Sequence, residues 1–134
     1  ILSMVSLRYK AKVTLVASSI ALVLVGCGQK TAQQAYNDAS QMLIQEQYDS
    51  AVIELKHAIQ QSPDYADARF LLGNIYMQQQ LFESAQKEFE KAMKTGFTNS
   101  ELTVLLAKAY HKTENLVGLI NLDAQPDLTA KQKV

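Results

Sequence analysis

Few side chains in this chain are equipped for chemistry. There is one cysteine, Cys27, and there are two histidines, His57 and His111. One cysteine excludes a disulfide framework. One cysteine with two scattered histidines does not make a zinc cage of the usual ligand types. Neither histidine has a paired cysteine or a local carboxylate pattern, so both read as solvent-facing or groove-edge residues on helices. Ser62-Pro63-Asp64 reads as a turn and not as a nucleophile site. No glycine-rich phosphate loop occurs, because Gly26 and Gly28 flank the cysteine. No catalytic constellation emerges. The expectation is a protein that is not an enzyme, uses no metal or cofactor and takes no small-molecule substrate.

The surroundings of Cys27 are more informative. Arg8, Lys10 and Lys12 are the only charged residues before Lys30. They are followed by an uncharged run of 13 residues, Val13 to Val25. That run is short of the roughly 20 apolar residues that cross a bilayer as a helix. It matches the apolar core of a secretory signal, about 7–15 residues behind a basic start. Leu24-Val25-Gly26-Cys27 closes the segment and resembles the bacterial lipobox. The resemblance implies cleavage after small Gly26, a covalent lipid on the Cys27 thiol and a new N-terminus open to acylation. Each buried methylene contributes about 0.8 kcal/mol, so two or three chains anchor a protein stably. Gly28 in place of an aspartate implies, by lipoprotein sorting, the outer membrane facing the periplasm. Met4 and Ile1 are both candidate starts.

The elements that follow must be helical. The 134 residues contain 5 Gly and 2 Pro, too few for a loop-rich or all-β chain. Alanine, leucine, glutamine, lysine and glutamate dominate, all good helix formers. Basic and acidic residues number 13 each, so no positive excess points to nucleic acid. Past position 26 the balance is about −3.

Shifting the sequence by 34 aligns Ala39, Gly73 and Ala107; Met42, Tyr76 and Tyr110; Tyr48, Phe82 and Leu116; Ala51 and Ala85; Leu55 and Phe89; Ala58 and Ala92. Small residues meet small ones and large apolar residues meet large ones, which is a packing pattern of a repeat. Within a unit, Ala68, Leu71, Leu72, Ile75 and Tyr76 share one face of a helix, and Ala85, Phe89, Ala92 and Met93 share one face of the next. Gln78-Gln79-Gln80 makes the turn between them. Pro63 ends unit one, and Gly96 is placed to terminate a helix in unit two. Gly73 and Ala85 lack bulk, so two backbones approach there while Tyr76 and Phe89 fill the space around them. One such unit cannot bury its own face; stacked units can.

This pattern resembles the tetratricopeptide repeat. Leu72-Gly73, Tyr76, Ala85, Phe89 and Ala92 stand at that family's signature positions, and unit one departs at Asp38, where leucine is usual. The expected architecture is all-α: a lipoprotein signal peptide over 1–26, a lipidated linker over 27–31, repeats over 32–65 and 66–99, a degenerate third repeat over 100–126, and the start of a further, truncated helix over 127–134. The third unit fails after 116: Leu119 replaces the small residue, Asp123 the large one, and Pro126 falls where alanine is expected. Its second helix is expected to be short, near 116–122. On the second helix of unit two, Glu88, Glu90, Lys87, Lys91 and Lys94 read as a solvated charged face, with Glu90–Lys94 the attractive pair.

In this repeat the first helix of each unit lines the concave side. The candidates there are Tyr36, Ser40 and Leu43, then Phe70, Asn74 and Met77, then Val104, Lys108 and His111. Phe70 and Met77 are large apolar residues off the core stripe and could anchor a peptide, extended or helical. The carboxylate-clamp set known in the family is not reproduced; Asn74 fits one position and the basic partners are missing.

The lipobox followed by Tyr36-x-x-Ala39, the run Gln47 to Gln60 and the run Asp67 to Tyr76 are together similar to the start of the PEP-CTERM system TPR-repeat lipoproteins. The similarity covers about residues 13–134. It implies a lipid-anchored scaffold for protein or peptide partners in the bacterial cell envelope, serving exosortase protein sorting and exopolysaccharide export. Two other readings remain: a generic outer-membrane repeat lipoprotein for pilus, secretion or cell-wall assembly, and a tether for an enzyme domain beyond Val134.

Overall fold

A computed structural model describes residues 28–124. Leu24, Val25, Gly26 and Cys27, Pro126 and the helix start expected over 127–134 lie outside the described residues. Within them are six helices and no strand: α1 (Ala32–Ile44), α2 (Tyr48–Gln61), α3 (Ala66–Gln78), α4 (Phe82–Lys94), α5 (Ser100–Lys112) and α6 (Leu116–Asp123). All belong to the unit that begins at Thr31. First helices start at 32, 66 and 100, and second helices at 48, 82 and 116. The 34-residue period of the sequence is therefore the period of the helices. The short last helix ends one residue beyond its expected limit.

The helix ends are set by local chemistry. Thr31 and Gln34 form a reciprocal capping box on α1: the Thr31 hydroxyl accepts from the Gln34 amide at 3.2 Å, and the Thr31 amide donates to Gln34 Oε1 at 2.9 Å. Asn99 and Asn115 cap α5 and α6 with their side-chain oxygens. Each of α1, α3 and α5 ends in the same turn. Amides of Gln47, Leu81 and Asn115 reach back to the carbonyls of Met42, Tyr76 and Tyr110 at 2.8–2.9 Å. Such a turn needs one left-handed residue, and Glu46, Gln80 and Glu114 supply it with φ of 58°, 60° and 55°. Gly96 does the same after α4 at φ 91°, with Phe97 N–H bonded to Ala92 O.

Two cores hold the hairpins together. The first gathers Ala35, Ala39, Ala51, Leu55, Ala58, Ala68, Leu72 and Ile75. The second gathers Ala85, Phe89, Ala92, Leu102, Leu106, Tyr110 and Leu122. Half-buried Tyr76 packs against both. The anticipated notch is real: a methyl group on Gly73 would lie 2.5 Å from the edge of the Phe89 ring. In unit one, Ala39 and Leu55 are both fully buried at the corresponding places. A slightly larger small residue there meets a smaller large one.

Hairpin three departs from the pattern. Asp123 is exposed and cannot play the part of Phe89. The notch moves to Gly118 on the second helix, where an added methyl would lie 2.6 Å from the Tyr110 ring of the first. Notch and ring have exchanged helices. Ala107, expected to pack between the helices, is only half-buried.

The charged face of α4 is also different from the expectation. Glu88 and Glu90 are half-buried. Arg69, itself buried, donates to Glu88 Oε2 at 2.8 Å and to the Pro63 carbonyl at 2.9 Å. Lys91 approaches the other Glu88 oxygen at 3.7 Å. Glu90 accepts from Tyr110 Oη at 2.9 Å and from Gln86 Nε2 at 3.0 Å, in place of pairing with Lys94. Thr113 Oγ1 donates to Gln86 Oε1 at 2.8 Å. Arg69–Glu88 joins the two helices of hairpin two, and the Tyr110–Glu90 and Thr113–Gln86 bonds tie hairpin two to hairpin three. A solvated face was expected because spacing within one helix does not reveal what the neighbouring helix brings to it.

Candidate functional site

The nine groove candidates separate into three environments. Those of unit one are mostly spoken for. Tyr36 is half-buried and lies against Tyr65, ring centroids 5.2 Å apart. Burial, then the charge of Asp67, raises the Tyr36 phenol above its ordinary pKa. Tyr65 Oη donates to Gln33 Oε1 at 2.9 Å. Ser40 Oγ donates to the Tyr36 carbonyl at 2.9 Å, and Leu43 packs at the edge of the first core.

Phe70 is turned into the structure. Its ring stacks on Phe97 at 4.7 Å and lies 6.0 Å from Phe89. The role expected of it as an exposed anchor is replaced by packing, because Gly96 turns the chain so that Phe97 covers it. Asn74 is half-buried, with its Oδ1 shielded and without a hydrogen-bond partner.

The remaining four candidates, Met77, Val104, Lys108 and His111, come together. With Ala107 and Lys112 they line a depression of about 480 Å³ between α3 and α5. Val104, Ala107, Lys108 and His111 occupy one face of α5 at helical spacing, with Met77 from the end of α3 opposite. The floor is apolar. The rim carries Lys108, His111 and Lys112, all exposed. Lys112 Nζ lies 5.8 Å from the centre of the Phe82 ring, a cation–π contact that restrains one of the rim charges. Such a hollow has the form that receives side chains of another polypeptide.

Sequence reading missed Ala107 as lining and Lys112 as rim. Lys112 was available, since it follows Lys108 by four residues on the same helix. Among the described residues no group of three or more His, Cys, Asp or Glu could hold a metal ion. His57 Nε2 is 2.9 Å from Gln61 Nε2. No helix of the described residues is long and apolar enough to cross a membrane.

Against known families, the tetratricopeptide repeat model matches residues 42–109. The chain belongs to the tetratricopeptide repeat family. Solved structures similar to this repeat chain include YrrB, described as a TPR protein with an unusual peptide-binding site, at TM-score 0.66 and 22% identity over 71% of this chain and 49% of that one. MamA aligns at TM-score 0.64 and 20% identity over 78% and 63%. The pilF protein of Pseudomonas aeruginosa aligns at TM-score 0.64 and 19% identity over 92% and 55%. At these identities the likeness is one of fold. This repeat chain spans about half the length of YrrB and less than two thirds of MamA. No curated protein matches it in sequence.

Proposed function

We propose that this chain is a non-catalytic scaffold that binds segments of partner proteins in the hollow between α3 and α5, and that Cys27 carries the lipid that holds it in the bacterial envelope. The observation that carries the binding role is the convergence of Met77, Val104, Lys108 and His111 on one depression. Stacked helical repeats present extended concave surfaces of this kind to partners. YrrB, of similar fold, is described as having a peptide-binding site. Selection from a random displayed-peptide library against the full chain tests the role. Val104 is 46% exposed, so Val104→Asp should abolish binding of the selected peptides without unfolding the chain. Failure to select any peptide, or binding indifferent to Val104→Asp, would overturn the groove reading.

The anchor is supported by the order of basic start, apolar run and Leu24-Val25-Gly26-Cys27. Cys27→Ala should abolish metabolic incorporation of a clickable fatty acid; persistent labelling would remove Cys27 from this role. The similarity to PEP-CTERM system lipoproteins supports placement at the outer membrane, facing the periplasm, in exosortase sorting and exopolysaccharide export. Deletion of the gene should then impair export of exopolysaccharide, and normal export would count against that placement.

A further inference from the structure

The chemistry of the hollow is uneven in a way that selects among partners. Of the 13 basic residues, Arg8, Lys10, Lys12, Lys131 and Lys133 lie outside the described residues, leaving eight. Of the 13 acidic residues only Asp127 lies outside, leaving twelve. The described body is therefore acidic, yet the hollow is lined by Lys108, His111 and Lys112 and by no carboxylate. Glu101, on α5 one turn before Val104, does not line it. On α3, which faces the hollow, the basic side chain Arg69 is paired with Glu88. Lys108 and Lys112 make no ion pair with a carboxylate among the described residues. A net-negative body repels acidic partners, and a positive rim set in it draws them to this one place.

We propose that the hollow takes an acidic segment of a partner protein: one apolar side chain seated on Met77, Val104 and Ala107, flanked by Asp or Glu whose carboxylates meet Lys108 and Lys112. The proposal rests on the groove reading above and adds the chemistry of the occupant. A cavity of about 480 Å³ has room for an inserted side chain. A flat anionic lipid surface would leave that cavity empty, so the concavity favours a polypeptide. The recognition differs from capture of a terminal carboxylate, because the apolar anchor lies between the charges. Of the two lysines, Lys112 also lies over the Phe82 ring, its Nζ 5.8 Å from the centre.

The test is the composition of the peptides that the full chain selects. Peptides with Leu, Phe or Met beside Asp or Glu should dominate. The double variant Lys108→Glu/Lys112→Glu changes exposed positions, and its helical circular dichroism and melting should match the parent's. It should bind the selected peptides roughly tenfold more weakly or worse, and a fresh selection on it should turn to Lys- or Arg-flanked anchors. Selected peptides with neutral or basic flanks, or binding untouched by the double variant but abolished by Val104→Asp, would overturn the acidic preference and leave the groove standing. Selection of no peptide would overturn both. Sedimentation with phosphatidylglycerol vesicles, lost in the double variant, with no peptide selected, would assign the surface to lipid and overturn the proposal.

Discussion

Hairpins two and three of this molecule solve one packing problem in opposite directions. In α3–α4 the notch is Gly73 on the first helix and the ring is Phe89 from the second. In α5–α6 the ring is Tyr110 from the first helix and the notch is Gly118 on the second. Phe89 is fully buried, whereas Tyr110 keeps 8% of its surface and a hydroxyl that must be satisfied by Glu90. Around α6, Leu116, Val117 and Ile120 remain 69%, 69% and 68% exposed. Hairpin two is closed on both sides by neighbours. In hairpin three α6 packs on α5 but, among the described residues, leaves an apolar face exposed. Close approach of two helices thus requires a small residue opposite a ring, and either helix can supply either partner.

The contrast is broken most severely by emptying the closed hairpin. Phe89→Ala should cost about 3–5 kcal/mol of unfolding free energy, by loss of buried area plus the cavity left under Gly73. Leu122→Ala in α6 should cost less globally, because the helix can open locally; native-state hydrogen exchange should show α6 exchanging while α3 and α4 stay protected. Equal global losses in chemical denaturation would remove the distinction.

Next in size is the notch itself. Gly73→Ala places a methyl group 2.5 Å from the Phe89 ring, and overpacking of this kind costs roughly 1–3 kcal/mol, against about 0.5–1 kcal/mol gained by removing glycine from a helix. Combining it with Phe89→Leu copies the Ala39–Leu55 pair of hairpin one and should recover much of the loss. Additive effects of the two substitutions would show that the notch and the ring do not act as a pair.

Tyr110→Phe is smaller at neutral pH, about 1 kcal/mol for the hydrogen bond to Glu90, and sharper in its pH dependence. Burial first, then the hydrogen bond and charge of Glu90, push the Tyr110 phenol up to about 12. The folded state therefore holds the proton more tightly than the unfolded chain, where tyrosine titrates near 10. The stability this contributes is complete below about pH 10 and is lost as pH rises toward about 12. Denaturation midpoints should fall over that window more steeply for the parent than for Tyr110→Phe, since Tyr36 and Tyr65 are raised in both. Parallel curves would deny Tyr110 its part.

The smallest expected effect is at the turns. Gln80 holds φ 60° and Glu114 holds φ 55°, so glycine at either position relieves a left-handed strain. A gain of roughly 0.5–1 kcal/mol is expected for Gln80→Gly in the closed hairpin. Glu114→Gly should tighten α6 in hydrogen exchange more than it raises the global stability. A loss at position 80 would mean that the Gln80 side chain makes contacts worth more than the strain.

Much of the fold was legible in the chain because its signal is local and repeated. The spacing of Ala51, Leu55 and Ala58, and of Ala85, Phe89 and Ala92, fixes which helix faces are buried, and all six are buried completely. The candidate site was legible in half. Met77, Val104, Lys108 and His111 were named as concave-side residues by helical phase together with the resemblance to the repeat family, whose first helices line that side. Phe70 was misplaced because its fate hangs on Phe97, which reaches it through the turn at Gly96. The Arg69–Glu88 pair and the Glu90–Tyr110 bond were missed for the same reason, as each joins two helices.

By itself, the sequence determined the helical period, the hairpin unit and the inward stripe of alanines, because backbone hydrogen bonding fixes 3.6 residues per turn and apolar side chains leave water at that spacing. Only the tertiary structure decided which helix gives the ring and which the notch, which charged groups are buried, and that four separated side chains share one hollow with a positive rim. Those outcomes depend on distances between different helices, and such distances are set by packing volume after the helices have formed.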